Sequence, residues 1–213
     1  MTGRAKEPVP AALQERRCPQ MVRFAAIAAV VAGLATVAFI AAAGGAGASA
    51  AQRRVAFTAM VQTLRRDLAS CDARASSAVS ALRLFRDGAL PESDAHQVAQ
   101  MAARACAPES ANAIWNLSLY SVPSWLGVRD LNYAVSCLGV WAEEDVRPAM
   151  IDAEILVGNP GDRSAQADFR RLAGWAADNL ASANAILERS AHKFGISGFQ
   201  PLSLVSLSRA APT

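Results

Sequence analysis

An uncharged apolar run from residue 24 to residue 43 constrains this chain more than any other feature of its sequence. A helix needs roughly 20 apolar residues to cross the hydrocarbon core of a bilayer, and this run is long enough. Arg23 precedes it, and Gly44 opens a Gly/Ala-rich stretch behind it. The run therefore predicts a single N-terminal transmembrane helix with the remainder of the chain on the far side.

The charges around this run predict its orientation. Residues 1–23 carry five basic and two acidic side chains, and positive residues beside a span remain cytoplasmic. We therefore expect a signal-anchor in the cytoplasmic membrane, with the N-terminus inside and the C-terminal domain outside. The alternative is a secreted protein, because Ala48-Ser49-Ala50 matches a signal-peptidase site that would be cut after Ala50. The apolar core of a signal peptide spans about 7–15 residues, so the longer run favours an uncleaved anchor.

The sequence divides into five segments. Residues 1–23 form a short basic cytoplasmic leader, residues 24–43 the transmembrane helix and residues 44–50 a Gly/Ala linker. Helical periodicity fills residues 51–195, which predicts one extracytoplasmic domain. We expect the tail, residues 196–213, to be extended or disordered.

Helical periodicity dominates the predicted domain. Between residues 51 and 87, apolar side chains recur at steps of four and three, and no Gly or Pro interrupts them, which predicts a helix of about 55 Å. The same pattern predicts helices near residues 93–106, from residue 124 or 130 to residue 157, and near residues 162–193. We expect the helix that ends at residue 157 to have a kink before Pro148. The fold class is therefore all-α, an antiparallel bundle of about four to five helices.

The charge balance excludes one class of partner. After the leader, the chain has 16 basic and 16 acidic residues, whereas binding to nucleic acid depends on a basic excess that neutralises phosphates. We therefore expect no nucleic-acid partner. The abundance of Ala, and of Arg over Lys, indicates a GC-rich bacterial genome.

Three cysteines follow the predicted span, where an oxidising compartment permits disulfides. Cys71 and Cys106 lie almost equally far in sequence from the turn predicted at Gly88, so two antiparallel helices bring them to the same height. Both fall on the apolar stripe of their helix, which predicts a disulfide between them. The rival pairing joins Cys106 to Cys137. In the favoured pairing, we expect Cys137 to be buried as a small apolar residue.

Catalytic and metal-binding patterns are weak. His96 and His192 are far apart in sequence, and no pair of cysteines has the close spacing of a zinc site. The acidic run Glu143, Glu144 and Asp145 resembles a glycosidase or cation site only in composition. We expect it to be a solvated helix face. The sequence thus predicts no catalytic residue, no metal and no cofactor, and it favours a protein that is not an enzyme.

The aromatic residues supply a candidate recognition surface. Trp115, Tyr120 and Trp125 lie among Pro108, Pro123 and the short segments around them. Rings that are partly exposed there would suit a glycan, a peptide, a partner helix or the membrane interface, although core packing is their commoner role.

These observations predict a non-enzymatic interaction or scaffold module, held at the membrane and acting with a protein partner or as a homo-oligomer. One alternative is a helical bundle that senses a small molecule in a pocket between its helices. Another is a cell-envelope hydrolase that uses the acidic residues between 143 and 152.

Overall fold

The computed structural model describes residues 48–107 and 129–207, which form a helical bundle without strands. Its elements are α1 (Ala50–Arg86), α2 (Glu92–Ala105), α3 (Arg129–Val140), a π-helix (Trp141–Val146), α4 (Arg147–Gly158) and α5 (Arg163–Lys193). Because α3, the π-helix and α4 follow one another without a break, the described residues make four helical rods. The predicted all-α fold is confirmed for this part of the chain.

The predicted transmembrane helix lies outside these residues. Within the described ranges, no helix combines the length and the hydropathy needed to cross a bilayer.

Helix α1 begins at a capping box. The Ser49 hydroxyl accepts a hydrogen bond from the Gln52 backbone N–H at 3.2 Å, and the Gln52 side chain accepts one from the Ser49 N–H at 2.7 Å. Two backbone donors that the first helical turn leaves unpaired are thereby satisfied. At the other end, Gly88 adopts a φ of 71°, a conformation that a residue without a Cβ reaches at little cost.

The apolar stripe of α1 faces the core as its periodicity predicts. The four-and-three repeat that begins at Phe57 has nine positions, of which eight are buried: Phe57, Val61, Leu64, Leu68, Cys71, Ala75, Ala78 and Leu82. The ninth, Phe85, packs against the core. Helix α2 folds back along α1, and the disulfide Cys71–Cys106 joins them with Cα atoms 4.7 Å apart. This pairing was predicted, and the rival bond between Cys106 and Cys137 does not form. Cys137 is fully buried, but it is itself disulfide-bonded, so the expectation that it is only a small apolar residue of the core is wrong.

The π-helix has a cause in the sequence. Pro148 has no backbone N–H, so it cannot donate to the carbonyl of Glu144 one turn earlier. The Arg147 N–H instead reaches back five residues to the carbonyl of Ala142. The hydrogen-bond register therefore widens just before the proline, where the sequence predicts a kink.

The remaining helices complete the core around α5. Helix α2 packs against α4, while α3, the π-helix and α4 all pack against α5. Most of the largest fully buried side chains come from α1, from the rod of residues 129–158 and from α5, and they include Phe57, Leu68, Trp141, Met150 and Phe169.

Beyond α5 the chain returns along the bundle as a tail, residues 200–207, that runs beside α1 and α5. The Arg65 guanidinium donates to the Gln200 carbonyl at its start. Leu202 and Leu207 are buried. Just before the tail, Phe194 and Phe199 pack on the ring of Phe57 in α1 at centroid distances of 5.5 and 5.9 Å. The segment expected to be extended or disordered is thus ordered over its described residues.

The tail is extended and follows α1. Residues 200–206 form neither a helix nor a turn. Its bonds to α1 advance from Arg65 at residue 200 to Asp72 at residue 205. The tail therefore runs parallel to α1.

Candidate functional site

Two helix side chains hold the backbone of the tail from opposite sides. On the α5 side, the Asn184 amide donates to the Leu202 carbonyl at 2.9 Å and accepts from the Leu202 N–H at 2.8 Å. On the α1 side, Asp72 Oδ1 accepts from the Val205 N–H at 2.6 Å. In an extended chain, the backbone N–H and C=O groups of successive residues point to opposite edges. This explains why Leu202 bonds to α5 while Val205, three residues later, bonds to α1.

A groove of about 440 Å³ lies between α1 and the tail, and we call it the α1 groove. Its lining combines one face of α1 with four tail residues: Asp72, Ser76, Val79, Ser80, Arg83, Ser203, Leu204, Val205 and Ser206. Asp72 and Arg83 are eleven residues apart, about 16 Å along the helix. The groove therefore has a carboxylate and a guanidinium at its two ends and serine hydroxyls between them.

The two charged ends of the α1 groove differ in their surroundings. Burial raises the pKa of Asp72, and the hydrogen bond from Val205 only partly offsets that effect. Arg83 is exposed, and its guanidinium makes no hydrogen bond or ion pair to any residue the structure describes. A ligand in this groove thus meets one anchored carboxylate and one uncommitted cation.

A second groove, of about 290 Å³, lies on the other side of the tail and faces α5. Small side chains of α5, among them Ala173, Ala177 and Ala181, form one wall, and the leucines of the tail form the other. Neither wall of this second groove has a charged side chain. The α1 groove is therefore the better candidate for specific recognition.

A buried carboxylate forms a separate polar site inside the bundle. Asp145 lies in the π-helix with 2% of its surface exposed, and Asn179 of α5 donates to its Oδ2 at 2.7 Å. Burial raises the pKa of Asp145 to about 6; the bond from Asn179 lowers it, while the charges of Glu144 and Asp178 raise it further. The prediction of a solvated acidic face is therefore wrong for Asp145, although Glu144 is exposed.

Trp141 extends this buried polar site. It precedes Asp145 by four residues in the π-helix and is fully buried. Its indole Nε1 has no hydrogen-bond partner among the residues the structure describes. π-Helical turns within α-helices occur frequently at functional sites, and here the turn buries two polar side chains in an otherwise apolar core.

A second carboxylate lies seven residues further along the same rod. The pKa of Asp152 is raised to about 6, and burial is the largest cause. The negative charges of Asp168 and Asp162 raise this pKa as well, whereas the charge of Arg171 lowers it. Arg171 is itself paired with Asp168 at 2.7 Å and lies over the Trp175 ring, 4.9 Å from its centroid.

The described residues do not form a metal centre. No three His, Cys, Asp or Glu side chains converge within them. His96 contacts Glu154 at 3.0 Å across α2 and α4. The acids between residues 143 and 152 line neither of the two grooves described here.

The residues singled out from the sequence have different outcomes. Cys71 and Cys106 form the predicted disulfide, which indicates a non-cytoplasmic or otherwise oxidising compartment. Trp115, Tyr120 and Trp125, the predicted recognition surface, lie outside the described residues.

Sequence reasoning missed the residues that hold the tail and line its groove. Asn184 and Asp72 look like ordinary polar positions of amphipathic helices, and their partners are backbone groups more than 15 residues away. Only Pro148 signalled the π-helix, and even that signal did not predict the burial of Asp145. A comparison with known protein families, curated proteins and solved structures finds no match for this chain.

Proposed function

We propose that this protein is a membrane-anchored, extracytoplasmic helical module that binds a protein partner and catalyses no reaction. The disulfide supports the compartment, because such bonds persist where the surroundings are oxidising. The uncharged run at residues 24–43 supports the anchor. The α1 groove is the observation that carries the binding role, since it is open and has at one end the Arg83 guanidinium, which no described residue pairs with.

The start of α1 favours an anchor that is retained. Cleavage after Ala50 would remove Ser49 and with it the capping box. Loss of an N-terminal cap costs about 1 kcal/mol of helix stability. A chain that keeps residues 1–50 keeps this cap, whereas the secreted alternative begins its first helix without it.

Shape and chemistry together favour a protein ligand for the α1 groove. It is bounded by a straight helix and an extended segment, so it is elongated and open along its length. The serine hydroxyls at Ser76, Ser80 and Ser203 are short, which lets a partner's backbone approach closely. The two charged ends would fix the orientation of a partner in the groove, because the partner needs an acidic group near Arg83 and a hydrogen-bond donor near Asp72.

A small-molecule sensor is the second candidate. The volume of the α1 groove, about 440 Å³, lies within the range of about 300–1,000 Å³ typical of ligand sites. Such sites normally enclose most of their ligand, and an open groove does so less well than a cavity between helices. The protein partner therefore remains the first proposal, and a second copy of the chain is one form that this partner can take.

Affinity purification of the full chain from detergent-solubilised membranes tests the proposal. Ser80→Trp places an indole in the α1 groove, and Ser77→Trp is its matched control. Both serines are exposed and bond to the carbonyl four residues earlier, but Ser77 does not line the groove. We expect the wild type and Ser77→Trp to retain a stoichiometric partner, either another protein or a second copy, that Ser80→Trp loses. A partner that Ser80→Trp retains contradicts the groove, and the absence of any partner contradicts the function.

A further inference from the structure

The contact between the continuous rod of residues 129–158 and α5 contains two acidic side chains that face further acids. Asp145 in the π-helix is hydrogen-bonded to Asn179 of α5 and lies near Asp178 of the same helix. Asp152 in α4 lies near Asp168, one turn after the start of α5. Both positions therefore set carboxylates against carboxylates across one helix–helix interface.

The charges that the described residues place around Asp145 do not compensate its own. Among the described residues, the charges that act on it are those of Glu144 on its own helix and Asp178 on α5, and both are negative. The bond from Asn179 comes from a neutral amide. Asp145 is almost fully buried, so water does not supply the missing solvation.

Asp152 has one cation nearby, but that cation is shared. Arg171 pairs with Asp168 and stacks on Trp175, while Asp162 at the N-terminus of α5 adds a further negative charge. On the opposite side of α4, His96 of α2 contacts Glu154. These groups, together with those around Asp145, are the charged neighbours that the described elements present to the two aspartates.

We propose that the contact of the π-helix and α4 with α5 is a pH-responsive element, which is tight when Asp145 and Asp152 are protonated and opens more readily when both are ionised. Ionisation places two buried or half-buried negative charges at an interface that already carries others. Opening lets water solvate the charge of Asp145 and separates it from Asp178. This inference does not depend on the binding role of the α1 groove.

The direction of the pH effect follows from the raised pKa values. An aspartate in an unfolded or open segment has a pKa near 3.9, whereas those of Asp145 and Asp152 are raised to about 6. The closed form therefore binds more protons than the open form between about pH 4 and pH 6. Its stability falls as the pH rises through that window, and the loss is complete above about pH 7.

Hydrogen exchange at the π-helix measures this opening directly. The full chain in detergent micelles is compared at pH 5.0 and pH 7.5, with each amide rate corrected for its intrinsic dependence on pH. A pKa near 6 in the closed form and 3.9 in the open form predicts an opening equilibrium about tenfold larger at pH 7.5 for Asp145 alone. We expect this increase in the amides of residues 141–150, and not in the middle of α1.

Matched variants separate the aspartates from other titrating groups. Asp145→Asn keeps an oxygen that accepts the bond from Asn179, and together with Asp152→Asn it should abolish the pH dependence. Asp87→Asn, at the exposed C-terminal cap of α1, should leave it unchanged. The comparison is repeated with His96→Gln, which removes the imidazole that contacts Glu154 and should leave the pH dependence unchanged. If the double variant keeps the tenfold increase, the proposal is overturned.

A measurement on the unsubstituted protein guards against variants that fail to fold. The carboxyl ¹³C resonance of Asp145 reports its own titration in the native state. A midpoint near pH 6 supports the proposal, and a midpoint below about pH 4.5 overturns it, because a carboxylate that ionises normally in the closed state cannot drive the opening.

Discussion

Helix α1 is held on its two flanks by different kinds of contact. Towards α2, it presents a regular apolar stripe and a disulfide between Cys71 and Cys106. Towards the tail, Arg65 and Asp72 bond to backbone groups of residues 200 and 205. The first flank is covalent and apolar, whereas the second is polar and directed at the backbone.

The two kinds of contact differ in how readily they open. A disulfide constrains the chain in every state and stabilises mainly by limiting the unfolded ensemble. The tail is held by a few hydrogen bonds and by two buried leucines, Leu202 and Leu207. Segments with few buried contacts open locally at lower free energy than the core of a domain. The disulfide flank therefore stabilises the fold, whereas the tail flank, which borders the α1 groove, is the one expected to open at the lower free energy.

Removal of the disulfide should have the largest effect. The bond closes a loop across 35 positions, which on the chain-entropy model stabilises the domain by about 4 kcal/mol. The variant Cys71→Ala/Cys106→Ala should lose about that much free energy of unfolding, measured by urea denaturation under oxidising conditions. A loss below about 1 kcal/mol would mean that the apolar stripe alone holds α2 to α1.

Removal of the tail clamp on α5 should have a smaller effect. Asn184→Ala deletes both hydrogen bonds to Leu202, and each is worth about 1 kcal/mol net. We expect a loss of about 2 kcal/mol, measured in the same urea titration. Ser182→Ala on an exposed position of the same helix is the control and should stay within about 0.5 kcal/mol. Equal stability of the two variants would show that Asn184 does not hold the tail.

The same two flanks explain how much of the fold could be predicted from the sequence. The α1–α2 hairpin depends on apolar periodicity, on the turn at Gly88 and on two cysteines at equal heights, and all three can be read along the chain. The tail depends on side chains such as Asn184 that bond to backbone groups. Any extended segment has such backbone groups, so the residue pattern of the tail does not predict which side chains bind it.

Asp145 illustrates a second limit. It belongs to an acidic run, and a regular α-helix with a solvated acidic face was the simplest prediction. Pro148 widens the helix before it and turns Asp145 inwards, where Asn179 meets it. The proline was visible in the sequence, but the side to which the widened turn would direct a carboxylate depends on how α5 packs.

Amide exchange along the tail tests most directly the claim that the tail is a wall of the bundle and not a loose end. The N–H groups of Leu202 and Val205 are bonded to Asn184 and Asp72, whereas that of Ser203 has no partner among the described residues. In the full chain, we predict that Leu202 and Val205 exchange about 100-fold more slowly than an unstructured peptide, while Ser203 exchanges much faster than both. Unprotected exchange at Leu202 and Val205 would contradict the account, because the tail would then not be held against α1 and α5.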